Sequence, residues 1–187
     1  MKKYIIIAGV NGAGKSTLYH SLKEMFKNTK RINVDEMIKQ TGDWKDFSTV
    51  MQAGKDTVKL LNKYLMEGVS FNQETTLCGK TILKNIIKAK ELGYFIELHY
   101  IGLDSVELAK KRVSNRVKEG GHGIPEKDIE KRYIESFENL REIMDICDLT
   151  IFYDNTYDFR RFAIYRKKEY VVLSHNLPRW FIDNKLL

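Results

Sequence analysis

Gly9-Val10-Asn11-Gly12-Ala13-Gly14-Lys15-Ser16, followed by Thr17, is the stretch whose reading decides the fold. It fills every fixed position of the phosphate-cradling pattern G-x-x-x-x-G-K-[ST]. Before it runs Tyr4-Ile5-Ile6-Ile7-Ala8, rich in the β-branched residues that suit a buried parallel strand. After it, Leu18, Leu22, Met25 and Phe26 predict one helix face over residues 16–26. Gly9, Gly12 and Gly14 let successive backbone N–H groups turn inward on an anion, and the helix N-terminus aims its dipole at the same point. Lys15 is placed to reach the β- and γ-phosphates of a nucleoside triphosphate, and the Ser16 hydroxyl to ligate Mg2+. Asn11, Ala13 and Thr17 complete the candidate nucleotide-binding set.

The 187 residues suffice for one domain with a substantial core. A net charge of +7 suits a phosphorylated substrate and would also suit nucleic acid. Its Lys and Arg residues are spread through the chain, however, with one denser cluster at Arg160, Arg161, Arg166, Lys167 and Lys168, so a nucleic-acid partner is not expected. No apolar run is long enough to span a bilayer, and Lys2-Lys3 leads straight into a strand rather than a signal-peptide core. Cys78 and Cys147 lack metal-ligand spacing and suit a reducing compartment. The expected setting is cytoplasmic, with no membrane partner.

Working outward from the loop, strands alternate with helices. Arg31-Ile32-Asn33-Val34 reads as a short strand ending at Asp35-Glu36. Residues 43–67 carry a helical stripe of Phe47, Val50, Met51, Gly54, Val58, Leu61 and Leu65, closed by Gly68. Val69–Gln73 is the third strand, 81–92 the next helix and 94–103 the fourth strand, with His99 inside it a packed or edge residue rather than a ligand. Asp104 can cap the helix of residues 105–119. Gly120-Gly121-His122-Gly123 then breaks the chain as a hinge before a helix starting near Pro125. A fifth strand covers 149–153, and two short strands (161–165 and 170–173) and a terminal helix (178–186) form a tail.

The pattern predicts an α/β, three-layer, P-loop kinase-like fold over 1–187, its five-stranded parallel sheet flanked by helices. An arginine-bearing lid (about 112–132) and a C-terminal appendage (about 157–187, a β-hairpin plus helix) complete it. Ligands of such sheets bind at the carboxyl ends of the strands, which makes the strand-end residues informative: the glycine loop, Asp35-Glu36, Glu74-Thr75-Thr76, Asp104 and Asp154-Asn155. Asp35 there can take the proton from an acceptor hydroxyl, or simply cap the following helix. Glu74, Thr75 and Thr76 suit hydrogen bonding to a polyhydroxylated acceptor, against a capping role. Arg112 and Arg116 lie one turn apart on one helix, and Arg132 follows on the returning one. Together they look like a lid closing over a triphosphate, with surface placement the competing reading for Arg112.

These blocks in this order, Gly9–Thr17, Asn33-Val34-Asp35-Glu36, Glu74-Thr75-Thr76-Leu77, Gly102-Leu103-Asp104-Ser105 and the arginine lid, resemble the zeta-toxin family over roughly residues 3–156. The branch resembled is the compact one described as ABC-type ATPases or kinases. The resemblance implies a P-loop kinase that uses ATP and Mg2+ to phosphorylate a sugar nucleotide such as UDP-N-acetylglucosamine. It also implies the toxin of a toxin–antitoxin pair, with an antitoxin protein as partner. Carried over by position, Asp35 resembles the general base, and Glu74 with Thr75 or Thr76 the acceptor-binding block. Lys15, Arg116 and Arg132 resemble the phosphate clamp, Arg112 less securely. The chain is shorter than the well-studied toxins and lacks a run of four hydrophobic residues ending in aspartate. The carboxylate supporting Mg2+ therefore stays open between Asp35 and Glu74. Alternative readings are a nucleoside or RNA-end kinase and a non-transferring ATP-dependent switch.

Overall fold

The computed structural model describes residues 1–187. Five parallel strands form its centre: β1 (Lys3–Gly9), β2 (Lys30–Asn33), β3 (Phe71–Thr75), β4 (Phe95–Gly102) and β5 (Leu149–Asp154). Nearly every residue of β1 and β4 is buried, including consecutive ones that point to opposite faces, so helices cover the sheet on both sides. Two further strands, β6 (Arg160–Arg166) and β7 (Glu169–Leu173), extend it in the order β2-β3-β1-β4-β5-β6-β7. The expectation of five strands with a separate hairpin is corrected here to one seven-stranded mixed sheet. Residues Phe162, Ala163 and Tyr165 of β6 are buried, and β6 pairs antiparallel with β5, which would otherwise be an open edge. The β6–β7 turn places Lys167 and Lys168 at positive φ (52° and 66°), the backbone of a tight hairpin.

The helices are α1 (Lys15–Ser21), α2 (Lys23–Phe26), α3 (Val34–Thr41), α4 (Phe47–Glu67), α5 (Lys80–Glu91), α6 (Val106–Lys118), α7 (Glu126–Ile143) and α8 (Arg179–Asp183). The single helix expected over 16–26 is interrupted at Leu22, whose φ/ψ of −103°/16° leaves the helical region. Met25 is left outside while Phe26 is buried, stacked on Tyr19 and edge-on to His99. Unexpectedly, Val34 does not continue β2: the Asn33 side chain accepts from the Asp35 and Glu36 N–H groups and starts α3. In α4 the buried face is Ala53, Thr57, Leu61 and Leu65, so the predicted stripe is right only in its last turns. Phe47 and Met51, near its start, are exposed. Gly68 closes α4 in the left-handed region, as expected.

Thirty-nine buried residues form one hydrophobic cluster running from β1 to α8. No helix is long and apolar enough to cross a membrane. His99 is packed in this core, its two ring nitrogens facing the Tyr153 hydroxyl (3.1 Å) and the Glu97 carboxylate (3.0 Å). Asp104 does not cap α6. That role falls to the Ser105 hydroxyl, which accepts from Leu108 N–H, while Asp104 Oδ1 accepts from Trp180 N–H at 3.3 Å. Trp180 thereby docks α8 over the ends of β4 and β5: its indole N–H donates to Asp154 Oδ1 at 3.1 Å. A Cβ at Gly102 would come within 2.2 Å of Trp180 Cε2. Gly102→Ala is therefore expected to cost about 1–3 kcal/mol through overpacking. Denaturant unfolding measures the loss, accompanied by a red shift of Trp180 emission.

Candidate active site

The carboxyl ends of β1, β2 and β3 are adjacent in the sheet, with Ala8 opposite Thr75 and Asn33 opposite Glu74. That register gathers the glycine loop, the start of α3 and residues 74–76 around one cavity of about 540 Å³. Asn11, Gly12, Gly14, Lys15, Ser16, Thr17, Asp35, Glu74, Thr75, Thr76, Arg112, Arg116 and Arg132 all line it. Of the predicted site residues, Gly9 and Ala13 alone lie behind the lining. Asn33, Val34, Gln73, Cys78 and Ile124 line it as well and were not anticipated.

The loop is held from both sides. Gly12 and Gly14 have φ of 75° and 97°, which a Cβ would strain. Asn155 Nδ2 donates to Ala13 O at 2.9 Å, and a Cβ on Gly14 would meet that amide at 2.8 Å. Arg112 spans Gly12 O (3.4 Å) and Thr156 O (3.3 Å), so its guanidinium ties α6 and the β5–β6 connection to the loop. Lys15 Nζ donates to Gly9 O (3.0 Å) and Val10 O (3.1 Å). Burial pushes its ammonium below the ordinary lysine range, with Glu74 and Asp35 pulling the other way.

The two carboxylates have different surroundings. Glu74 is buried; its Oε2 accepts from the Ser16 hydroxyl (3.0 Å) and its Oε1 from Arg31 Nη2 (2.7 Å). Arg31 also grips Glu36 and lies flat on the Tyr19 ring, its Cζ 3.3 Å from the centroid. Asp35, in the first turn of α3, is half exposed, and its nearest cation-forming group is His122 Nε2 at 3.7 Å. Opposite them, Arg116 Nε and Nη2 are buried and have no hydrogen-bond partner. Orphaned guanidinium donors beside an inward-turned N–H loop fit an anion, and four cationic side chains against two carboxylates fit a polyanionic one. Ser16 and Glu74 offer a hydroxyl and a carboxylate side by side, which suits Mg2+, a cation usually held by one or two protein oxygens plus phosphates and water.

Comparison with known proteins is consistent with this geometry. A family model described as Zeta toxin matches residues 1–177. An uncharacterised protein of Haemophilus influenzae is 33% identical over 131 residues, covering 70% of this chain and 92% of its own. Among solved structures, the AvrRxo1-ORF1:AvrRxo1-ORF2 complex with sulphate ions superposes with a TM-score of 0.70 at 17% identity. That alignment covers 92% of this chain but 61% of the other, so the chain spans about three fifths of the length of that protein. A structure from the PezAT chromosomal toxin–antitoxin system of Streptococcus pneumoniae gives a TM-score of 0.59 at 18% identity, covering 98% of this chain and 83% of that one. At these identities the structures speak for the fold, whereas the family model covers nearly the whole sequence: this chain belongs to the Zeta toxin family.

Proposed function

We propose that the chain is an ATP- and Mg2+-dependent phosphotransferase that moves the γ-phosphoryl group of ATP to a hydroxyl of a small molecule, a sugar nucleotide such as UDP-N-acetylglucosamine. The observation that carries the reading is the opposition, across one cavity, of a cationic clamp and a half-exposed carboxylate. The glycine loop, Lys15, Arg116 and Arg132 make the clamp and Asp35 is the carboxylate. In the reaction the acceptor hydroxyl gives its proton to Asp35 and its oxygen bonds to the γ-phosphorus. The bond from that phosphorus to the bridging oxygen breaks, and ADP leaves. Lys15, Arg116 and Arg132 answer the charge spread over the migrating group, while Arg112 holds the loop in shape. Mg2+ bound with the nucleotide would neutralise phosphate charge. Ser16 is the residue to ligate it and Glu74 the carboxylate behind Ser16, which leaves Thr75 and Thr76 to meet the acceptor.

A solved AvrRxo1-ORF1:-ORF2 complex contains ATP, in keeping with this choice of nucleotide. The toxin–antitoxin origin of the PezAT structure supports an antitoxin protein as partner. The RNA-end alternative rested on the basic tail. Tyr165 pairs with Thr150 at the start of β5, so Arg166, Lys167 and Lys168 stand at the opposite end of the sheet from the cavity, and that support is withdrawn.

Incubation with ATP, Mg2+ and UDP-N-acetylglucosamine should add one phosphate to the sugar nucleotide by mass spectrometry. Hydrolysis without transfer to any metabolite would favour the switch reading instead. Asp35→Asn is expected to lower kcat by about 10²–10⁴-fold while nucleotide affinity, measured by titration calorimetry, holds. Arg116→Ala should lower kcat by about 10³-fold or more. Glu74→Gln separates the two assignments open to it: on the metal side it raises the Mg2+ concentration needed for half-maximal rate, whereas an acceptor contact would raise the acceptor KM.

A further inference from the structure

Between α6 and α7 the lid turns through Gly120-Gly121-His122-Gly123, and this turn is wedged rather than free. Gly121 N–H donates to Arg116 O at 2.8 Å. A Cβ on Gly121 would come within 2.6 Å of Arg116 Cγ, and one on Gly123 within 2.6 Å of the Trp44 ring. The bare backbone on either side of His122 therefore lets the turn press between α6 and the connection from α3 to α4. His122 is 10% exposed. Its ring packs on Trp44 with centroids 5.5 Å apart and planes at 51°. Nε2 faces Asp35 Oδ1 at 3.7 Å, and Nδ1 is buried without a partner.

We propose that His122 is a positioning residue for Asp35, delivered by the lid and latched by Trp44. The proposal rests on the reading of Asp35 as the base. It adds that the base is set in place only when the turn carrying His122 is seated. One imidazole thus joins the two halves of the site, because Arg116 and His122 move with the same lid.

The chemistry is specific about protonation. Asp35 is faced by Nε2 at 3.7 Å, just beyond hydrogen-bond reach, so the neutral tautomer that can serve it is the one with its proton on Nε2 and Nδ1 as the acceptor. Burial above all holds the ring below the ordinary histidine range. Asp35 is the one carboxylate pulling the imidazole toward its charged form, and Arg116, Lys39 and Arg132 push against it. A neutral donor orients the carboxylate without neutralising it, which keeps it able to accept a proton.

Two measurements test this, one without catalysis. The chain has two tryptophans, so subtracting the emission of Trp44→Phe isolates Trp44 from Trp180. An imidazolium quenches a neighbouring indole more than a neutral ring does. Trp44 emission should therefore fall on acidification, with a midpoint below that of free histidine, and His122→Gln should abolish the transition. Asp35→Asn should move the midpoint lower still, because the charge favouring imidazolium is gone. A midpoint unmoved by Asp35→Asn, or a transition surviving in His122→Gln, overturns the coupling.

The second measurement uses ATP and UDP-N-acetylglucosamine. His122→Phe keeps a ring on Trp44 but has no N–H. It should lower kcat by about 10- to 100-fold, the scale of a misplaced reacting group, with the ATP KM unchanged. His122→Gln, whose amide can donate to Asp35, should recover part of the rate. Full activity in His122→Phe overturns the proposal. A wild-type protein that transfers no phosphate sinks the phosphotransfer reading instead, and the Trp44 titration then decides the pairing by itself.

Discussion

A buried charge must be answered by groups held in place, and the Lys15 ammonium is the charge this molecule is arranged around. Its answer in this structure is backbone: the carbonyls of Gly9 and Val10. Backbone can serve only if the loop keeps its shape, and the shape is supplied by distant parts of the chain. Asn155 reaches Ala13 from the end of β5, and Arg112 reaches Gly12 from α6 while gripping Thr156. The β5–β6 connection and the lid helix therefore act on the phosphate-cradling loop directly. Trp180 closes the circuit by fixing Asp104 and Asp154, the residues flanking that support.

Two carboxylates in one cavity are separated by their neighbours rather than by their chemistry. Glu74 is immobilised between Ser16 and Arg31, and Arg31 is itself pinned on Tyr19. Asp35 faces only an imidazole and keeps half its surface open. A carboxylate with both oxygens committed is suited to shape a cation site, and one with free lone pairs to receive a proton. Such divergence between paired acids is a recurrent way for a site to divide its roles.

The parts of this site that could be read in the sequence are those whose residues are contiguous. Gly9–Thr17 is a complete pattern with its strand and helix attached, so the nucleotide half was legible at once. The start of α3 was not, because Val34 extends a β-like run and hides the break. Asn33 followed three residues later by Glu36 is a capping signal that could have revealed it. Arg31 and Trp44 were given no site role, and Asn155 none beyond its place at a strand end, for another reason. Their partners lie far off in sequence, as with the 43 residues from Arg31 to Glu74 and the 142 from Ala13 to Asn155. Only the tertiary fold brings them together. The α4 stripe misled because Phe47 and Met51 are exposed, so apolar spacing there does not mark the buried face.

The hairpin that completes the sheet also leaves it unfinished. Strand β7 ends the row, and Val171, Val172 and Leu173 along it are exposed. An apolar edge with free backbone groups invites another chain to add itself, the first step toward fibrous association. Lys167 and Lys168 stand at the turn beside that edge, with Arg166 just before them. A second copy pairing parallel to β7 would bring these charges together, whereas an antiparallel one would set them at opposite ends of the seam. The cations beside this edge, Lys168 among them with its Nζ 4.0 Å from Asp145 Oδ2, thus oppose parallel pairing along it by a repulsion that concentrated salt would screen.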